Sequence, residues 1–500
     1  MAIKVGGTEV ITNARQLSNI ASVDATTVAA LGTAGVGGGN TFEATASGAL
    51  ANGDPVIINA NGTVSKPALT ISANDPATFG YSSNSNQGTT INGTGQTQGL
   101  SAAYNSNSGT TGAGAFLVTF RDASASDALK GNMMTVRTDG ELNVEGEFSI
   151  GGETVEGNRA TDVCFNEPLN IFFIAYRKKA SDTVSVRALT PNGARTVSGG
   201  SAYTIKTDTL APRIATDNND NPYNFVVTFL ESNNSALMAK PFQYNSSNGV
   251  ITVGSEVTIE SSSCAGGHHI VYDSTNDKFI VTYANTGDNK NIKTKVITFD
   301  GSGNSLSVGS EVELSSVSVG DFNFGTVFTT SGKTVIAMKD EDNSNYLTTA
   351  IFTTSGTGGS FSSTQVAVSQ DVDNVSIGYD DNTNRVGIAF KNGGVTNTVT
   401  NFTTASVGAS SLTFQSSSPA SLGTTNSEKG SARMPFSGTN VGTTLDTART
   451  GDNKLLVVFT TQGDYGRVNI ANLGSTSTSL TSTNYIGISD AAYSDGQTAT

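Results

Sequence analysis

His268 and His269 stand side by side and are the only histidines in the 500 residues. A metal or catalytic imidazole site needs ligands that converge, and neighbouring side chains on an extended chain point to opposite faces. No HExxH motif accompanies them, so the pair reads as part of a strand end. Cys164 and Cys264 are the two cysteines. They read as two buried thiols, with one disulfide as the alternative, and they are too few for a stapling framework. Sugar cleavage needs two carboxylates about 5–10 Å apart. Asp321, Asp340, Glu341 and Asp342 are candidates by type, but no spacing singles out a pair. Boxes of the form Ser-x-Asp-x-Gly-x-Thr-Trp are absent, since the chain has no tryptophan. The scattered arginines place no carboxylate clamp, and no GxSxG, P-loop or dinucleotide fingerprint occurs in a strand–turn–helix context. The sequence therefore predicts no catalytic residue, no cofactor and no metal. Asp- and Asn-rich turns could offer oxygens to calcium, but none shows the spaced ligand ladder, so they read as turns closed by their own side chains.

The elements behind these residues repeat. Phe279-Ile-Val-Thr-Tyr283 alternates apolar and polar residues and closes on an aromatic. Similar phrases close at 120, 176, 229, 283, 338, 390 and 459, in steps of 56, 53, 54, 55, 52 and 69 residues. A step near 54 residues is too long for a hairpin and suits four strands with their turns. Before each aromatic strand lies an extended piece and an Asx-rich turn, as in His269–Tyr272 followed by Asp273–Asp277. After it come a polar loop, an alternating third strand (Ile292–Phe299), a Gly-rich turn and an outer strand, Val308–Leu314. The string VGSEV occurs at 253–257 and again at 308–312. Such a sheet has two apolar faces that only neighbours in a ring can cover. The predicted fold is all-β: a seven-bladed β-propeller of about 54-residue four-stranded repeats, preceded by an extended N-terminal segment. The long last step holds Ser427–Phe436, which reads as an insertion near a face.

Four regions follow: residues 1–35 as an attachment and oligomerisation segment, 36–110 as a Gly-rich hinge with a hairpin and irregular β structure, 111–485 as the propeller, and 486–500 as the start of a further β module; within the second, residues 75–113 read as irregular strands and loops, with the first outer strands of the propeller as the alternative. Residues 1–35 carry too few apolar side chains to bury themselves alone, which favours contact with copies or a larger body. Leu50–Val64 reads as a hairpin, with Val56–Ile58 as its strand and Asn61-Gly62 as its turn. Thr498–Thr500 opens a strand for which the sequence shows no partner.

Charged residues make up 14% of the chain and the formal charge is -14, so a nucleic-acid partner is not expected. No stretch approaches a membrane span, and Met1–Gly7 lacks the apolar run of a secretory leader.

The opening MAIKVGGTEVITNARQLSNIASVDATT, residues 1–27, resembles that of virion fibre and tail-fibre-like proteins of marine tailed phages, notably cyanophages. LANGDPVIINANGTV (50–64), the Asx turns leading into aromatic strands, and YIGISDAAYSDGQTAT (485–500) resemble modules of such proteins. The resemblance implies a virion location, a homotrimer attached to other virion proteins through residues 1–35, and distal parts facing the host. A secreted or cell-surface propeller lectin and a polysaccharide-degrading tailspike are the rival readings. The loops after the aromatic strands, Glu231–Ser235, Ala284–Lys290, Asp340–Asn345 and Lys391–Asn397, recur at one point of the repeat and should crowd one face. Their contact candidates are Asn233, Asn234, Asp288, Asn289, Asp340, Glu341, Asp342 and Asn392, whose amides and acids suit sugar hydroxyls or protein more than anionic chains.

Overall fold

Alternating apolar residues make a strand only when both neighbours accept its register. In the computed structural model, Lys278–Ala284 pairs with His268–Asp273, setting Tyr272 opposite Phe279 and His268 opposite Tyr283. On its other side it pairs with Asn291–Phe299, setting Phe279 opposite Ile297. The aromatic strand is thus second of four, flanked on both sides. Phe120, Tyr176, Phe229, Tyr283, Met338 and Phe390 are all fully buried, as the repeat predicts.

The structure describes residues 3–5, 8–11, most of 44–65, 78–80, most of 89–105, 114–136, 142–393 apart from short loop segments, 400–414, 419–421, 454–461, 465–472, 485–488, 494 and 498–499. The Ser427–Phe436 insertion, the Gly35–Gly39 hinge and most of residues 1–35 lie outside them. Two compact units are present, residues 71–475 and residues 1–70 with 476–500.

The larger unit repeats the four-strand pattern. Thr97–Tyr104, Ala115–Asp122 and Ala128–Val136 form the first sheet with two outer pieces, Leu142–Val144 and Phe148–Thr154. Thr161–Asn166, Ile171–Lys178 and Thr183–Asn192 form the second with Thr196–Gly199 and Tyr203–Lys206. Thr209–Thr216, Tyr223–Glu231 and Leu237–Asn245 form the third with Val250–Val253 and Val257–Glu260. The fourth, around Lys278–Ala284, is finished by Leu306–Val308 and the start of Val312–Thr329. The end of Val312–Thr329 then opens the fifth sheet, and Gln365–Asp380 links fifth to sixth in the same way. A last sheet pairs Lys454–Thr461 with Tyr465–Asn472.

Its outer pieces, Thr78–Gly80 and Thr89–Thr90, come from the other end of the unit's sequence, with Ile470 opposite Gly80 and Val468 opposite Thr89. Propeller strands therefore begin before residue 111, the bound set from the sequence, and the alternative reading of residues 75–113 as first outer strands describes Thr78–Gly80 and Thr89–Thr90.

Apolar clusters join successive sheets. Phe173 of the second sheet packs on Phe225 of the third at 4.2 Å, and Phe225 stacks on Phe242 at 4.7 Å. Further clusters span first to second, third to fourth, fourth to fifth and fifth to sixth. Leu456, Val458, Val468 and Ile470 of the last sheet share a cluster with Leu100, Phe116, Val118 and Phe120 of the first, which closes the circle. The chain forms an all-β propeller.

One expectation is corrected. VGSEV is not a continuous outer strand. One strand ends at Val253 and the next begins at Val257; the same break falls between Val308 and Val312. The glycine explains it. A Cβ on Gly254 would lie 2.1 Å from the Asn304 carbonyl oxygen, and one on Gly309 would lie 1.8 Å from that of Thr357. Each oxygen belongs to the turn between third and fourth strands of the next sheet. The outer strand breaks where that turn docks, and Ser255 N–H donates to Asn304 at 2.8 Å.

Three of the described inner strands end on a buried polar residue that shapes the following turn. Asp273 accepts from Thr275 N–H and Asn276 N–H, both at 3.0 Å; Asn166 accepts from Leu169 N–H at 3.0 Å, and Asp380 from Thr383 N–H at 3.3 Å. These are turns closed by their own side chains, as read from the sequence.

In the smaller unit, Ile3–Val5 pairs with Thr8–Ile11. The predicted hairpin is present, with Pro55–Ile58 against Val64–Ser65. Tyr485–Ile488 adds to it, and Thr498–Ala499 pairs with Ala44–Thr45. The strand opener that showed no partner in the sequence thus has one in residues 44–45, and this part of 486–500 completes the small unit. Among the described residues no helix is long and apolar enough to cross a membrane.

Candidate contact rim and central channel

The described loops after the aromatic strands gather on one rim; Gly394–Asn397 of the predicted Lys391–Asn397 loop lie outside the described residues. Each touches the crossover from one sheet to the next. Ser232 N–H donates to Asp208 O, Ser263 N–H to Asn234 O, Thr286 N–H to Ser263 O, Val319 N–H to Lys290 O, Val372 N–H to Asn345 O and Gly393 N–H to Asp371 O, all within 2.7–3.2 Å. Asn289, Lys290, Ser344 and Asn345 take positive φ values of 49–61°, which lets the loops fold back tightly.

Within this rim the predicted contact residues divide. Asn233 is exposed. Asn289 is exposed as well. Asn234 is exposed, but its Oδ1 accepts from Ala236 N–H at 2.9 Å. Asp288 pairs with Lys293 at 2.7 Å, Glu341 with Lys290 at 3.7 Å, and Asp342 accepts from Ser318 N–H at 2.9 Å. Asn392 is half-buried and accepts from the Gln370 and Asn401 amides.

Asp340 is corrected: it is only 4% exposed and cannot be a contact residue. It precedes a short 3-10 turn, Glu341–Asn343, as Asp122 precedes Ala123–Ala125 in the first sheet. The loop folds over it, and burial holds its carboxyl above the usual range. Several rim cations are engaged in the same way: Lys179 with Asp127, Arg177 with Asp182, and Lys339 with Asp373.

A second polar cluster lies on the fourth sheet, and the sequence reading missed it. Tyr283 Oη donates to Glu311 at 2.5 Å, and Glu311 also pairs with Lys293 at 3.0 Å and Lys295 at 3.5 Å. Burial, reinforced by the Glu311 bond, holds the Tyr283 hydroxyl far above its ordinary range. Glu311 is lowered: burial opposes this, but its bonds to Tyr283 and Lys293 outweigh it. Tyr176 makes a related cluster across sheets, with Glu153 of the first sheet and Arg187 of its own, and burial pushes it up to about 12. At Gly309 the Glu two residues further on was the available signal, whereas Glu256, two beyond Gly254, pairs with Lys206 instead.

The inner strands surround a channel of about 390 Å³, which sequence reasoning also missed. Ser101, Asp162, Ile214, His269, Thr326 and Ser376 are among its lining residues. An inner strand is a sheet edge whose N–H groups need partners. Asp162 supplies one across sheets: it accepts from Ser101 Oγ and from Ile214 N–H, both at 3.0 Å. Asn374 N–H donates to Asn323 Oδ1 at 2.9 Å in the same role. His268 is buried while His269 lines the channel against Phe324, so the adjacent histidines do face opposite ways. Cys264 is buried, which pushes its thiol up to about 12; Cys164 is half-buried, and the two form no disulfide.

No protein-family model and no curated protein matches the chain. Among solved structures it is similar to Sqt1 of Saccharomyces cerevisiae, at 10% identity over 78% of this chain and 99% of that one, with a TM-score of 0.45. It is similar to AofleA of Arthrobotrys oligospora, at 11% identity over 73% and 95%, with a TM-score of 0.40. A third is the Aleuria aurantia lectin, described as a six-bladed β-propeller, at 14% identity over 66% and 97%, with a TM-score of 0.40.

Proposed function

We propose that this chain is a structural and adhesive, non-catalytic component of a phage virion. Its N-terminal segment holds it, as a homotrimer, to other virion proteins, and its seven-bladed propeller presents the loop rim to neutral host glycan or protein. The observation that supports adhesion is the rim itself. Its loops are tied to successive sheet crossovers, so they form a fixed polar surface rather than independent flaps. Lys179, Arg177, Lys290, Lys293 and Lys339 are engaged by acids, which suits hydrogen bonding to neutral hydroxyls better than gripping an anionic chain. The virion role is supported by the resemblance of residues 1–27.

A polysaccharide-degrading tailspike would need two carboxylates turned toward one bond, whereas Asp288, Glu341 and Asp342 each serve the loops that carry them. A secreted propeller lectin would use the same rim and differ in where the protein is found. Labelling purified virions with an antibody to the propeller, together with glycan-array and whole-cell binding, tests the reading. Absence from virions overturns the virion role. Array binding without virion label favours the lectin. No binding to cells that the virus infects makes the propeller a spacer.

A further inference from the structure

We infer that the fifth sheet holds a small monovalent cation between Asp340 and Thr348. This goes beyond the adhesive role and does not depend on it. The first sheet shows what the position requires. Asp122 and Asp340 each end an aromatic strand, are 3% and 4% exposed, and lead into a three-residue 3-10 turn from nearly the same backbone, φ -92° and ψ 96° against φ -95° and ψ 99°. Asp122 is fully answered. It accepts from Ser124 N–H at 3.0 Å and Ala125 N–H at 3.1 Å, and Lys130 Nζ lies 2.8 Å from its carboxylate. Lys130 pairs with Phe120, two residues before Asp122; in the same register Thr348 pairs with Met338, two before Asp340. A threonine therefore stands where the first sheet has its ammonium. Thr348 and Asp340 are diagonal neighbours on paired strands and share a face. Asp340 Oδ1 and Thr348 Oγ1 are both buried without a hydrogen-bond partner, and the turn Glu341–Asn343 receives no side-chain cap. Burial raises the Asp340 carboxyl; the Thr348 hydroxyl and the turn N–H groups act against that rise without reaching hydrogen-bond geometry. The nearby lysines are engaged elsewhere, Lys339 with Asp373 at 2.6 Å and Lys290 with Glu341 at 3.7 Å.

A buried carboxylate without a countercharge is costly, and a cation held by the two oxygens removes the cost. Charge and size set its class. One unanswered carboxylate matches one positive charge, because Glu341 faces Lys290 and Asp342 accepts from Ser318 N–H. A calcium ion takes six to eight oxygens, and among the described residues no three acidic, histidine or cysteine side chains converge on a metal. The group that fills the equivalent place in the first sheet is an ammonium, so potassium or ammonium ion fits.

The test is thermal unfolding of the full chain at pH 7 in potassium, ammonium and tetramethylammonium chloride of equal concentration, the last cation being too large for the place. The parent midpoint should be higher in potassium or ammonium by about 1–3 °C, saturating with concentration. Asp340→Asn should lose that rise; in tetramethylammonium it should melt above the parent, and potassium should narrow the gap. Thr348→Lys supplies the ammonium from the chain, as Lys130 does, and should melt at or above the parent with the rise gone. Asp122→Asn, which leaves the fifth sheet untouched, should keep the rise. Asp340→Asn carries the test if Thr348→Lys does not fold. A parent midpoint equal in all three salts, or an equal rise in parent and Asp340→Asn, would be a general salt effect and would overturn the proposal. A rise produced by calcium and not by potassium would overturn the single charge.

Discussion

Replacing Gly309 by alanine tests whether the outer-strand break holds adjacent sheets together. The new Cβ would sit 1.8 Å from the Thr357 carbonyl oxygen, where ordinary contact begins near 3.4 Å. The turn must therefore retreat by 1.6 Å (3.4 − 1.8) or the outer strand must move. Gly309 N–H donates to Val296 O at 2.8 Å within its own sheet, so the strand cannot back away without losing that bond. Overpacking of this kind costs about 1–3 kcal/mol.

Gly254→Ala meets Asn304 O at 2.1 Å and requires a shift of 1.3 Å (3.4 − 2.1). Here the opposing oxygen also accepts the Ser255 N–H at 2.8 Å, and a shift that breaks this bond adds about 1 kcal/mol. Gly358→Ala is the control. It lies in the neighbouring outer strand, a Cβ there has no atom within 4 Å, and its φ is ordinary. Its effect should be neutral, or stabilising by about 0.4–1 kcal/mol through the unfolded chain. Thermal unfolding of the three variants in parallel should rank Gly358→Ala at or above the parent and both others well below. If Gly309→Ala unfolds with Gly358→Ala, the docked turn is not what demands the glycine.

Further outcomes follow from the polar clusters and the closure. Tyr283→Phe removes a hydrogen bond to a charged Glu311 and should destabilise by about 1.5–3 kcal/mol, read by chemical denaturation. Asp122, Asp127 and Glu311 all have lowered carboxyl values, so the stability they contribute is complete above their ordinary values of 3.8–4.5 and is lost as pH falls through the lowered ones. The unfolding midpoint should therefore drop as pH falls below about 4. Asp340 has the opposite sign: raised by burial, it opposes folding at neutral pH, so Asp340→Asn should raise the midpoint at pH 7 and do little at pH 3. Removing residues 71–92 should expose the Tyr465–Asn472 edge and produce aggregates visible by size-exclusion chromatography.

What the sequence made legible is the part that local pattern dictates. Phe229, Tyr283 and Phe390 close strands buried on both faces, and such strands must be apolar in any context, so the period showed through. The Asx turns were legible because Asp273 and Asn166 act on backbone only two or three residues away. The rim was half legible. Loop position follows from the repeat, but whether a side chain points outward does not, and Asp340 looks as solvated in sequence as Asp342. The outer-strand break was not legible, because Val-x-x-x-Val keeps the alternation of an unbroken strand. What interrupts it is a carbonyl about fifty residues further on.

The closure was legible only as an alternative for residues 75–113, for a related reason. Thr78–Gly80 and Thr89–Thr90 are short pieces, mostly threonine, without the dense apolar pattern of an aromatic strand. An outer strand has one covered edge and needs only backbone donors and acceptors that match the register of Tyr465–Asn472. Almost any short extended segment meets that demand locally. What selects this one is the ring, which brings the first sheet beside the last through Phe116, Val118, Leu456 and Val458 and so places the chain preceding Thr97 within reach of the open edge. The inner strands are chosen by their own side chains and the outermost by its neighbours. A reading from single segments therefore recovers the middle of each sheet before its rim.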